Sequence, residues 1–423
     1  MKIVQSGTRT ADAALARIER NRDRSSRAAE VSARRIIEQV RRNGDEAASA
    51  AVEKFDGVTI PAGEIVIAPK QSSIDAGLDA AIDLAIERIG RFHRLQLPSG
   101  YRLSTEGSEL IHRIRPLRRV GIYVPGGSAV YLSTLIMCAV PARIAGVDEL
   151  VVATTPAAAA QPALLECCRR LGIGQIYRAG GAAGIAAMAL GTATLQRVDK
   201  IVGPGNAYVT AAKKLLVGRV GIDMLAGPTE LVLIADDAAD AKLAAADLLA
   251  QAEHGSDSVV VCVTFTKTSA KRIAAEVARQ LDAATGTSAR ACTDRNGLII
   301  VAQSEEEAVL IANRIAPEHL SLHWSNAKEW LDSLENCGAI FVGARSPVAA
   351  GDYIAGPNHV LPTGGTARFT SPLGVYDFVK RSNVIELSAS VSREIAGPGA
   401  ALARFEGLPL HARSLDLREG WPA

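Results

Sequence analysis

At 423 residues, with 48% hydrophobic and 22% charged residues, the chain is long enough for several structural units and has the composition of an ordinary well-packed protein. Its formal net charge of +2 supplies no global field toward nucleic acid or an anionic membrane, and the 4% aromatic content argues against an aromatic-rich binding surface. No apolar run approaches the roughly 18–20 residues that span a bilayer, the six cysteines form no CxxC pair, and the start has no apolar signal-peptide core, so a reduced, cytoplasmic protein is expected.

Residues 1–115 read as a helical N-terminal unit. "AAEVSARRIIEQVRRNGDEAASAAVEKFDG" and "IDAGLDAAIDLAIERIGRFHRLQ" carry apolar residues at helical spacing, with Gly57 and Pro61 between them. The basic clusters here are interrupted by acids and read as solvated helix faces. His93 and His112 stand alone and read as packing or surface residues.

From about Arg118 the pattern changes to strand, glycine turn and helix in alternation. "RRVGIYVPGG" leads to the helix-like "STLIMCAVPARIAG", then the strand "ELVVATTP", the helix "PALLECCRRLG", "QIYRAGG", and "KIVGPGNAYVTAAKKLL". A second round begins near Glu230 with the strand "LVLIADD", the helix "AKLAAADLLAQAEH" and the strand "SVVVCVTFT", and closes with "AIFVG". The expected fold class is α/β, with two Rossmann-like parallel-sheet units at 116–229 and 230–375. A small C-terminal helical unit, 376–423, would follow.

The dinucleotide fingerprint GxGxxG is absent. Four glycine-rich turns, "YVPGGSA", "RAGGAAG", "VGPGNAY" and "LAGPTE", can bring backbone N–H groups to a phosphate or serve as plain strand-to-helix turns. Four of the seven histidines fall in Gly/Pro-punctuated segments, each near an amide or carboxylate. Gln251 and His254 are three apart and would share a helix face. Glu318 and His319 are adjacent behind Pro317, Asp352 precedes His359 by seven residues, and Glu406 precedes His411 by five. A lone histidine is usually just a satisfied polar residue, but such a set suits a borderline cation such as zinc with room for a substrate.

The segments "RRVGIYVPGG", "KIVGPGNAYVTAAK", "IDMLAGPTE", "DLLAQAEHG", "APEHL", "GDYIAGPNHVLPTGGTARF" and "SPLGVYDFVKR" resemble the histidinol dehydrogenase family, in order and across essentially the whole chain. The resemblance implies a zinc- and NAD-dependent four-electron oxidation of L-histidinol to L-histidine through the aldehyde, in a homodimer whose C-terminal unit is swapped between subunits. It implies Zn²⁺ ligands Gln251, His254, Asp352 and His411, with His319 as general base and acid and Glu318 activating water. Substrate would meet Thr229, His359 and Glu406 besides the ligands and His319. Tyr123, Ala183 and Asn206 would hold NAD, and no nucleic-acid or membrane partner is implied.

Three departures from the family pattern stand out. Ala183 replaces a glutamine of the NAD site, Thr229 replaces serine, and Val348 replaces a glutamate of the substrate pocket. Loss of that carboxylate raises an alternative: a paralogue oxidising another small polar alcohol, such as a sulfonated diol. A zinc hydrolase using Glu318 and a non-catalytic homologue are the readings from other classes.

Overall fold

The computed structural model describes residues 1–22, 27–127, 130–284 and 288–419. Contacts divide the chain into two compact units, residues 1–96 with 117–378 and residues 97–116 with 379–423.

The larger unit holds two six-stranded sheets. In the first, the spatial order is Val66–Ile67, Gln175–Tyr177, Glu149–Ala153, Arg119–Tyr123, Lys200–Val202 and Gly221–Ile222. All neighbours are parallel except Val66–Ile67, which runs antiparallel to Gln175–Tyr177. The helices Arg27–Asp56, Gly181–Leu190 and Ala207–Leu216 contribute to one core with this sheet, in which Ala182, Ala183, Ala186 and Ala187 are buried. Small side chains at these positions let helix and sheet approach closely.

The second sheet is parallel throughout, in the order Lys2–Gln5, Gly297–Val301, Val259–Thr264, Glu230–Ala235, His319–His323 and Ala339–Val342. Its central strand alternates between two cores. Val232 and Ile234 enter one, while Leu231, Leu233 and Ala235 enter the other. Burial on both faces explains why its strands read as continuous apolar runs.

The smaller unit has an antiparallel sheet in the order Val379–Glu386, Ser108–Pro116 and Tyr101–Thr105, and two helices, Ala389–Phe405 and Pro409–Glu419. Its apolar core is small: Ala400, Ala403 and Ala412, with Leu415 beside them.

The N-terminal stretch is less purely helical than its spacing predicts. It supplies the helices Arg9–Arg22, Arg27–Asp56 and Ala76–Arg94, but also the edge strand Lys2–Gln5 and the hairpin at 101–116. Both depend on partners far along the chain, Lys2 pairing with Leu298 and Pro116 with Val379. The C-terminal stretch likewise begins with a strand. Among the described residues, no helix is long and apolar enough to cross a membrane.

Candidate active site

The strands Glu230–Ala235 and His319–His323 are neighbours, with Leu231 opposite His319. Chain order reverses between them, because later strands are added outward on both sides. Such a switch point is where open α/β sheets leave a crevice. Here the polar residues gather at the amino ends of the two strands, Thr229 before one and Glu318 before the other, whereas ligands usually meet the carboxyl ends.

Local sequence explains the placement. The helix Glu305–Ile315 ends at Ala316, which is left-handed at φ 47°, an uncommon conformation for a residue with a Cβ. Pro317 forbids a further helical turn, and the next residues enter the sheet. The helix Ala241–Ala252, capped by the Asp240 carboxylate, runs back from the preceding strand and delivers Gln251 to the same edge. Asp352 comes from the short helix Val348–Tyr353. A Cβ on Gly351 would stand 2.6 Å from the Phe341 ring, so glycine lets this helix lie close to the strand beside His319.

These side chains form one connected polar group. Gln251 Nε2 donates to Thr229 Oγ1, and Thr229 donates to Glu318 Oε2. The Glu230 N–H also donates to Glu318 Oε2, at 3.3 Å. His319 Nδ1 lies 3.6 Å from Glu318 Oε2, and its Nε2 lies 3.7 Å from Asp352 Oδ1. Both separations exceed hydrogen-bond length. His319 is 3% exposed and neither ring nitrogen has a hydrogen-bond partner. Buried imidazoles are normally satisfied, so both nitrogens are open to a ligand.

Burial pushes the Glu318 carboxyl up, opposed by the His319 charge and the Thr229 hydroxyl. Burial works against a charged His319, but Glu318 and Asp352 outweigh it and raise its pKa. Burial would also raise Asp352, yet His319, His359 and His254 hold it below its ordinary range. Burial lowers the His359 pKa; its Nδ1 lies 2.6 Å from the Asp352 carbonyl oxygen. The edge is therefore a buried carboxylate–imidazole–carboxylate set with two more imidazoles close enough to act on it.

The shared helix face expected for Gln251 and His254 needs correction. The helix stops at Ala252, and exposed His254 lies in the turn before Gly255, while Gln251 is 1% exposed. The "HGSDS" run has poor helix propensity and turns instead, with Ser258 N–H donating to Gly255 O.

Among the described residues, no three His, Cys, Asp or Glu side chains form a ready-made metal cage. The donor chemistry still fits a borderline cation. Gln251 Nε2 is committed to Thr229, which leaves Oε1 as its ligating atom; Asp352 is held anionic, and His254 is near enough to influence it. In the smaller unit, Glu406 caps the helix Ala389–Phe405 and His411 stands in the first turn of Pro409–Glu419, both exposed.

The candidate cofactor residues lie at the carboxyl edge of the first sheet, also at its switch point. Arg119–Tyr123 lies between Glu149–Ala153 on one side and Lys200–Val202 on the other. The Tyr123 hydroxyl accepts a hydrogen bond from Gly181 N–H at 2.9 Å, at the start of the helix that carries Ala183. Asn206 caps the helix Ala207–Leu216 through Oδ1, which accepts from Tyr208 and Val209, leaving its amide NH₂ free. Gly127 and Gly181 face open space where a Cβ would stand, so backbone there can approach a bulky ligand. The edge thus fits a nucleotide by its glycines and its free amide.

The three departures have structural counterparts. Val348 is 1% exposed and packs in the apolar cluster with Leu231, Leu248 and Ala252. Thr229 keeps the hydroxyl that joins Gln251 to Glu318, so its extra methyl leaves the relay intact. Ala183 is buried in the first core and donates nothing from its side chain.

Two buried polar pairs escaped sequence reasoning. His323 Nε2 lies 3.1 Å from Asp247 Oδ2, and Lys213 Nζ lies 2.6 Å from Asp223 Oδ1. No local signal marks either, because the partner of each lysine or histidine comes from another element.

The histidinol dehydrogenase family model matches residues 19–419. The histidinol dehydrogenase of Thermus thermophilus is 48% identical over 392 residues, covering 91% of this chain and 93% of that protein. The Bacillus subtilis enzyme of the same name is 44% identical, covering 91% and 92%. The crystal structure of histidinol dehydrogenase from Elizabethkingia anophelis superposes with a TM-score of 0.85 at 34% identity, covering 91% of each chain. The chain belongs to the histidinol dehydrogenase family, NAD-dependent oxidoreductases that catalyse the last step of histidine biosynthesis.

Proposed function

We propose that this chain oxidises L-histidinol to L-histidine by way of the aldehyde, and that Thr229, Gln251, Glu318, His319 and Asp352 form its catalytic centre. Family membership supports the reaction. The observation that carries the site is the buried His319 imidazole, unbonded at both nitrogens and set between two carboxylates.

Gln251, His254 and Asp352, with the partner subunit's His411, would hold Zn²⁺, which when bound supplies a Lewis acid and a template for the substrate amine and oxygen. Tyr123 and Asn206, beside the helix carrying Ala183, would seat NAD⁺, the hydride acceptor of both oxidations. Thr229 and His359, with the partner subunit's Glu406, would line the substrate site. The active form is then a homodimer, working on a small molecule in the cytoplasm.

His319 takes the hydroxyl proton as the carbon–hydrogen bond breaks, which avoids a free alkoxide. Glu318, made more basic by burial, removes a proton from the water that adds to the aldehyde. Once it has released the first proton to solvent, His319 accepts the hydrate's hydroxyl proton during the second oxidation. Each oxidation removes one hydride and one proton, and the added water supplies the second carboxylate oxygen.

The alternative of a sulfonated-diol substrate is not supported. The relatives are named for histidinol, and Val348, the residue that prompted it, lies in the apolar core.

The site assignment is tested by Glu318→Gln under limiting histidinol. The first NADH is expected near the wild-type rate and the second at least about 100-fold slower. A second NADH formed as fast as the first would remove Glu318 from the water-activating role.

A further inference from the structure

Lys213 and Asp223 form the most deeply buried lysine or arginine ion pair among the described residues, their side chains 3% and 1% exposed. Such a pair is a poor device for stability, because desolvation offsets most of the attraction. Its bonds point to another purpose. Lys213 Nζ donates to Gly203 O at 2.6 Å and to Asp223 Oδ1 at 2.6 Å. The other carboxylate oxygen, Oδ2, accepts from Gly203 N–H at 2.7 Å, and Oδ1 accepts from Met224 N–H at 2.7 Å. Both polar groups of the Gly203 peptide backbone are therefore gripped by one ion pair.

Gly203 opens the "GPGN" turn that follows the strand Lys200–Val202. It has φ +110°, and a Cβ there would stand 2.3 Å from Tyr123 O, so its backbone lies directly against the end of the neighbouring strand. Three residues on, Asn206 caps the next helix. The spacing of Tyr123 and Asn206 across the switch point thus depends on where Gly203 is held.

We propose that Lys213 and Asp223 are positioning residues for the NAD⁺ loop: they lock Gly203 so that Tyr123 and Asn206 present one preformed cofactor edge. The inference rests on the reading that these two residues seat NAD⁺. It assigns the pair to cofactor affinity, with no part in the chemistry or in holding histidinol.

The test uses the full-length, zinc-loaded protein and reads NAD⁺ binding by calorimetry without substrate, beside steady-state kinetics. Lys213→Met/Asp223→Leu replaces the pair with apolar side chains and removes the grip. It is expected to weaken NAD⁺ binding about tenfold and raise KM for NAD⁺ equally, with zinc content and KM for histidinol unchanged. Lys213→Gln/Asp223→Asn, which removes both charges together and keeps one acceptor for Gly203, guards against an apolar double variant that fails to fold. It is expected to show a smaller loss in the same direction. A purely structural role would lower the melting temperature and leave the NAD⁺ affinity of the folded fraction as in wild type, which overturns the proposal. Asn206→Ala and Tyr123→Phe are measured in parallel. If they weaken NAD⁺ binding while the ion-pair variants do not, the positioning role alone fails. If they too have no effect, the assignment of the cofactor edge fails and the positioning role with it.

Discussion

Thr229 shows how little side chain the site needs to stay connected. Its hydroxyl receives from Gln251 and gives to Glu318, so one oxygen orients both a candidate metal ligand and a candidate base. Thr229→Val keeps the shape and removes that oxygen. It should lower kcat/KM for histidinol about 10–100-fold and weaken zinc binding, while Thr229→Ser should stay near wild type. Unchanged zinc affinity in Thr229→Val would show that Gln251 is oriented some other way. Val348 marks the opposite case. Because it packs in the core, Val348→Ala should cost about 2 kcal/mol of stability and leave KM for histidinol alone. A raised KM with undiminished stability would return Val348 to the substrate pocket. The candidates Gln251, Glu318 and His319, which the structure brings together, stand out in the sequence because motif and chemistry coincide in "QAEHG" and "PEHL". The core position of Val348 does not, because a valine one residue past a proline looks alike on either side of a pocket wall.

At the scale of elements, the first helix is tied to the site's supporting strand by Arg22, whose Nε lies 2.8 Å from Glu230 Oε1. Burial pushes Glu230 up to about 7, against the pull of Arg22. A carboxyl raised in the folded state holds its proton there while the unfolded chain has released it. Its contribution is therefore most favourable below the ordinary value of 4.5 and is lost as pH rises through about 7. Glu230→Gln removes this slope, so the variant should gain stability relative to wild type between those two pH values, as read from urea midpoints. Parallel pH profiles would contradict the assignment. The strands 230–235, 259–264 and 297–301 were readable from their apolar runs. The strand His319–His323 was not: "HLSLH" follows a proline and resembles a loop, and only pairing with Glu230–Ala235 makes it a strand. The same holds for Lys2–Gln5, whose partner lies nearly 300 residues on. Long-range pairing leaves no local pattern to read.

For the whole molecule, the two sheets present their candidate residues at opposite edges, Tyr123 and Asn206 at carboxyl ends of one and Thr229, Glu318 and His319 at amino ends of the other. Alternating strands and helices predict two parallel sheets, but not which edge carries chemistry, since that depends on where helices return. Glu406 and His411 lie exposed in the smaller unit, and the role proposed for them requires a swapped dimer. His411→Ala and His319→Ala chains, each inactive alone, should regain part of the wild-type activity when co-assembled; no recovery in mixed dimers would argue against a shared site. The most direct measurement is the NADH yield of zinc-loaded protein given limiting L-histidinol and excess NAD⁺. Two NADH per histidinol, lost on chelation and restored by zinc, is the expected result. A yield of one, or none with zinc and NAD⁺ bound, would contradict the four-electron oxidation on which the account rests.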